Sequence, residues 1–88
     1  MSDTSRIKRL KFRAWHRGTR EADYMIGCFF DVHHSNWSPA DLDWFEALLD
    51  EEDVEIMAWA LGTMDVPEKY QGEQMAAFRK LDFVEIPR

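Results

Sequence analysis

The chain has 88 residues, a net charge of −6, 45% apolar residues and one cysteine. That length suits a single domain and buries only about 60–65% of the unfolded surface. The single cysteine excludes an internal disulfide and a cysteine metal cluster, and no apolar run approaches the roughly 18 residues of a membrane span.

In chain order, five helical segments are expected. The first runs from about Ser5 to Trp15, with Ile7, Leu10 and Ala14 on one face and Phe12 and Trp15 beside it. Gly18 breaks the pattern. The second runs from about Thr19 to His33, where Ala22, Met25, Ile26, Phe29 and Phe30 recur at the spacing of an inward stripe. The third opens on a capping Ser38 followed by Pro39, with Asp41 and Asp43 at the positive end of the dipole. Its core face is Leu42, Phe45, Leu48 and Leu49. The fourth, Asp53 to Leu61, is apolar almost all round and is expected to be the most buried. Gly62 is its C-cap, and Pro67 opposes continuation. The fifth runs from about Glu73 to Leu81, with Met75, Phe78 and Leu81 inward, and the tail from about Asp82 is expected to fray. The fold class is therefore all-α, a compact five-helix bundle forming one domain over 1–88. No apolar signal segment is seen at the N-terminus, and the default compartment is the cytoplasm.

The charge is uneven. Up to position 20 there are seven basic residues, Arg6, Lys8, Arg9, Lys11, Arg13, Arg17 and Arg20, against one acid, Asp3. The remaining sixteen acids lie beyond. A basic head on an acidic body is compatible with nucleic-acid binding, with internal charge matching, or with a partner of complementary field. The acidic body argues against nucleic acid.

Catalytic and metal-binding signals are weak. His33 and His34 are adjacent and do not converge on one metal, and His16 is remote. Cys28 lies in an apolar run and reads as a packing residue. The acidic run Asp50–Asp53 reads as a solvated turn that caps the fourth helix, without the spread ligands and central glycine of a calcium loop. No glycine-rich nucleotide loop is present. Arg17-Gly18-Thr19-Arg20-Glu21 stands out, because Gly18 marks a bend or a close backbone approach. Glu21 falls in the first turn of the second helix. The plain structural reading is a helix junction with an Arg17–Glu21 ion pair, which physics alone favours.

Trp15 to Phe30, W-H-R-G-T-R-E-A-D-Y-M-I-G-C-F-F, resembles the R-G-x-x-E signature of the SdhE family, the succinate dehydrogenase assembly factor 2 proteins. The resemblance continues through Leu42–Asp50 and Asp53–Gly62, covers about positions 6 to 62, and fades beyond Pro67. One departure is Ala22, where the family pattern usually carries a larger apolar residue. The resemblance implies a five-helix bundle that is not an enzyme. It implies binding to the flavoprotein subunit of succinate dehydrogenase, and in bacteria often that of fumarate reductase, to promote covalent attachment of FAD to a histidine there. It assigns the contact face to Arg17, Gly18 and Glu21, and geometry adds Arg20 and Asp23. No catalytic, cofactor-binding or metal residue is expected in the chain, no stably bound cofactor, no nucleic acid and no membrane insertion. A monomer is expected. The competing reading is a helical antitoxin-like or nucleic-acid-binding regulator that uses the basic N-terminal helix.

Overall fold

The computed structural model describes residues 3–81. Among them are five α-helices, α1 (Asp3–Trp15), α2 (Arg20–His33), α3 (Pro39–Leu49), α4 (Asp53–Leu61) and α5 (Glu73–Lys80), and no strand. Two short 3₁₀ turns, His34–Asn36 and Glu68–Tyr70, lie after α2 and before α5. The expectation of a frayed tail falls outside the described residues. The five-helix bundle is confirmed.

Local chemistry explains the boundaries. Thr19 is extended and its Oγ1 accepts the Ala22 N–H at 3.2 Å, so it caps α2 from outside rather than forming its first turn. Ser38 and Asp41 exchange hydrogen bonds as a capping box, with Pro39 at the first helical position. Gly62 ends α4 in the left-handed conformation, φ +80°, and the Thr63 N–H reaches back to the Ala58 carbonyl at 2.9 Å. Leu81 ends α5 in the same conformation, φ 57°. It caps the helix as well as packing on the core.

All five helices share one apolar core. Leu10 and Ala14 of α1 meet Ala22, Met25, Ile26, Phe29 and Phe30 of α2. Leu42, Phe45, Leu48 and Leu49 of α3, Ile56, Trp59 and Ala60 of α4, and Met75 and Phe78 of α5 complete it. Phe29 is fully buried at the centre, 4.8 Å from Phe78 between ring centroids, and Phe30 stacks on Phe45 at 5.0 Å. Ala22 is fully buried too, so its small side chain fits the core as it stands.

Two expectations are corrected. The fourth helix is not the most buried, because Val54 is 78% and Leu61 57% exposed. It packs only one side, through Ile56, Trp59 and Ala60, and α2 carries the larger buried surface. Phe12 does not lie beside the core face of α1: it is 63% exposed. The connection from α4 to α5 also holds a core residue that periodicity did not reveal. Tyr70 is buried, donates its hydroxyl to the Ala47 carbonyl and Glu51, and accepts the Trp44 indole N–H at its own carbonyl.

The basic head is largely matched internally. Arg6 pairs with Asp43 and Glu46, Arg13 with Asp50, and Arg17 with Asp53. The partner numbers rise along the chain as the arginine numbers do, so α1 and α3 run parallel. Lys11 lies 3.5 Å from Asp31 of α2, on the other flank of α1.

Candidate functional site: the turn between the first two helices

Arg17 does not pair with Glu21. Its side chain is only 11% exposed and crosses to the turn between α3 and α4. There Nε donates to Asp53 Oδ1 at 2.7 Å, and one terminal nitrogen donates to the carbonyls of Leu49 and Glu51 at 2.9 and 3.3 Å. The guanidinium fork fits this arrangement because it presents several donors in one plane. The backbone N–H of Arg17 donates to Asp23 Oδ1 at 2.6 Å. The turn is thus held from both sides, by α2 and by the α3–α4 turn.

The acidic run that read as a solvated turn is therefore an anchoring element. Asp50 accepts from Arg13, Glu51 accepts from Tyr70 and forms an ion pair with Lys69 at 3.5 Å, and Asp53 accepts from Arg17. Glu52 is the N-cap of α4 but makes no side-chain capping bond.

With Arg17 turned inward, the outward side of the turn belongs to other residues. Gly18 has φ +111°, a region that side chains rarely adopt, and a Cβ built there would meet nothing within 4 Å. The glycine therefore serves backbone geometry and leaves open space in front of the chain. An open groove of about 720 Å³ begins there, lined by Gly18, Thr19, Arg20 and Asp23 with Trp15, His16 and Tyr24. Trp15 and Tyr24 meet edge to face at 6.1 Å. Glu21 is exposed just beyond, in the first turn of α2.

Of the five residues expected at the contact face, Gly18, Arg20 and Asp23 line the groove and Glu21 flanks it. Arg17 lies behind it. Sequence reasoning missed the aromatic walls, Trp15, His16 and Tyr24, and the Arg17 partner Asp53. It also missed Gly27. A Cβ on Gly27 would lie 2.3 Å from Cδ2 of Trp15, so this glycine is the seat of the indole that forms the groove wall. Histidine gathers no metal set: among the described residues no group of three His, Cys, Asp or Glu side chains could hold an ion. His34 Nδ1 lies 2.8 Å from the Phe30 carbonyl and His16 Nδ1 2.7 Å from that of Phe12, an arrangement that suits helix-end histidines.

The family model described as flavinator of succinate dehydrogenase matches residues 8–82, from the middle of α1 past the end of α5. This chain belongs to that family. The match extends beyond position 62, where the resemblance read from the motifs stopped. The FAD assembly factor SdhE of Acetobacter pasteurianus is 38% identical over 65 residues, 74% of this chain and 60% of that protein. The mitochondrial succinate dehydrogenase assembly factor 2 of Mycosarcoma maydis is 33% identical over 66 residues, 75% of this chain and 28% of that one. The same factor of Schizosaccharomyces pombe is 30% identical over 69 residues, 78% and 50% respectively. The chain thus spans 60% or less of the length of these relatives. No solved structure matches it. No helix among the described residues is long and apolar enough to cross a membrane.

Proposed function

We propose that this protein binds the flavoprotein subunit of succinate dehydrogenase, and that of fumarate reductase where the cell has one, and promotes covalent attachment of FAD to it. Family membership supports the assembly role. The observation that carries the contact face is the open groove beside Gly18, a place where a partner backbone can approach without displacing anything. Gly18, Arg20, Glu21 and Asp23 are the contact residues. Arg17 is a positioning residue that holds the turn in place from behind.

The chain acts without catalysing. Attachment chemistry belongs to the flavin and to the partner's histidine. A helper that binds the attachment-competent conformation of the subunit more tightly than the others shifts the population toward it. A bias of about 3 kcal/mol is worth more than a hundredfold in rate. The chain needs no cofactor site for this role, and it works as a monomer.

The test uses the full chain, purified apo-flavoprotein and FAD. Wild type is expected to capture the flavoprotein and to raise the flavin fluorescence of its gel band. Gly18→Arg is expected to abolish both while remaining folded. Gly18→Ala carries the same backbone strain without the bulk and should retain most of the binding. Equal loss in both variants would mean that Gly18 matters only for backbone geometry. The chain alone, titrated with FAD in a calorimeter, should show no submicromolar binding and no flavin-sized mass gain. Submicromolar binding or a flavin-sized mass gain would replace the helper reading with a flavin carrier. Glu21→Ala should lower flavinylation with little change in melting, because an exposed first-turn charge contributes at most about 1 kcal/mol to its helix.

A further inference from the structure

The basic head separates into two sets once its side chains are followed. Arg6, Arg13 and Arg17 turn to α3 and the turn after it, and Lys11 leans toward α2. The face of α1 between those flanks points away from the core. At about 100° per residue, Phe12 lies at its centre, Lys8 and His16 about 40° to either side, and Arg9 about 60° away. Phe12 is 63% exposed. The His16 ring stacks on it with centroids 4.0 Å apart and planes 15° from parallel. His16 also lines the groove beside Gly18, together with Arg20. The exposed face of α1 and the groove are therefore one continuous strip. Lys8, Arg9 and Arg20 have no ion pair among the described residues.

We infer that the contact surface for the flavoprotein extends up α1 along Phe12, Lys8 and Arg9, and that it fits an acidic patch of that subunit with an apolar recess for the Phe12 ring. This rests on the functional reading above and names the chemistry of the partner's side. A large aromatic ring held out in water beside a groove is the type of residue that anchors interfaces. The charges set the orientation. The molecule carries a net charge of −6, whereas this strip carries Lys8, Arg9 and Arg20, so an acidic partner surface is drawn to the strip against the charge of the rest. Nucleic acid is the other usual occupant of a basic and aromatic strip. It fits less well, because three arginines of the head are neutralised internally and the remaining cations are too few to follow a phosphate backbone.

The experiment measures binding kinetics of the apo-flavoprotein subunit on the immobilised full chain. The variants are Phe12→Ala, the double variant Lys8→Glu with Arg9→Glu, and Val54→Ala as an exposed apolar control on α4. All are expected to melt as wild type does, since the side chains changed are exposed. Phe12→Ala and the double variant should each weaken binding by about tenfold or more. The double variant should also associate more slowly and lose the salt dependence of the wild-type on-rate. Val54→Ala should bind as wild type. Wild-type binding with unchanged strip variants overturns this inference and leaves the functional reading intact. Equal weakening by Val54→Ala overturns it too, because the strip is then not specific. Absence of wild-type binding overturns both. Submicromolar binding of a DNA duplex by wild type, lost in the double variant, assigns the strip to nucleic acid instead.

Discussion

At Gly27 two effects of opposite sign meet. A mid-helix glycine ordinarily costs about 0.5–1 kcal/mol relative to alanine, so Gly27→Ala would be expected to stabilise α2. The Trp15 ring reverses this, because the new Cβ would lie 2.3 Å from it and neither the helix nor the half-buried indole can withdraw cheaply. Overpacking of this kind costs about 1–3 kcal/mol. Gly27→Ala is therefore expected to lower the melting temperature, and a rise would show that the indole moves aside at little cost. Tyr70 offers a second test at this scale. Burial, and then the hydrogen bond to Glu51, push its phenol above the ordinary value of 10.0. The unfolded chain then loses this proton first. Tyr70 supports the fold fully below pH 10 and progressively less as the pH rises above it. Tyr70→Phe should flatten the alkaline limb of a stability-against-pH curve. It should also cost about 1 kcal/mol at neutral pH, the usual net contribution of such a bond.

Between elements, the same pair of residue types has different weight at two places. Arg13–Asp50 is 2.6 Å long but 37% and 71% exposed, so solvent screens it. Arg17–Asp53 is 11% and 25% exposed, and Arg17 also serves two backbone carbonyls. Asp50→Asn should therefore change stability by less than about 1 kcal/mol. Arg17→Ala should cost about 3 kcal/mol, because it strands Asp53 and two carbonyls. A double-mutant cycle by denaturant unfolding should find coupling of at least about 1 kcal/mol for Arg17 with Asp53 and little for Arg13 with Asp50. Similar coupling in both pairs would contradict this clamp between the two turns. Arg17→Lys is not expected to rescue, since an ammonium cannot reach a carboxylate and two carbonyls in one plane.

Across the whole molecule, one core cluster joins all five helices, and no helix has a core of its own. Unfolding is expected to be a single cooperative step. The four tryptophans make this checkable, because Trp15 stands at the α1–α2 contact, Trp37 and Trp44 in the α2–α3 aromatic cluster, and Trp59 in α4. Fluorescence and far-ultraviolet circular dichroism should give coincident denaturation curves. Separate midpoints would mean that part of the bundle opens on its own.

Read as a string, the residues determined the helices and most of the core. Period-3.6 stripes such as Met25, Ile26, Phe29 and Phe30, the Ser38-Pro39 start and the Gly62 stop are local signals, and local hydrogen bonding and capping are what place helix ends. The Arg17-Gly18-Thr19-Arg20-Glu21 segment was legible too, as a break in one pattern and the start of another. What the segment faces was not. Whether Arg17 reaches Glu21 four residues on or Asp53 thirty-six residues on depends on how two turns meet in space, and no local pattern carries that distance. The same holds for Gly27 under Trp15, for Tyr70 in the core, and for Val54 and Leu61 left in water on a helix that reads as apolar all round. Periodicity says which side chains share a face. Only the packing of the other helices decides which face is covered, and that paired three arginines of the basic head with carboxylates of α3 and the α3–α4 turn and left Lys8, Arg9 and Phe12 to the surface.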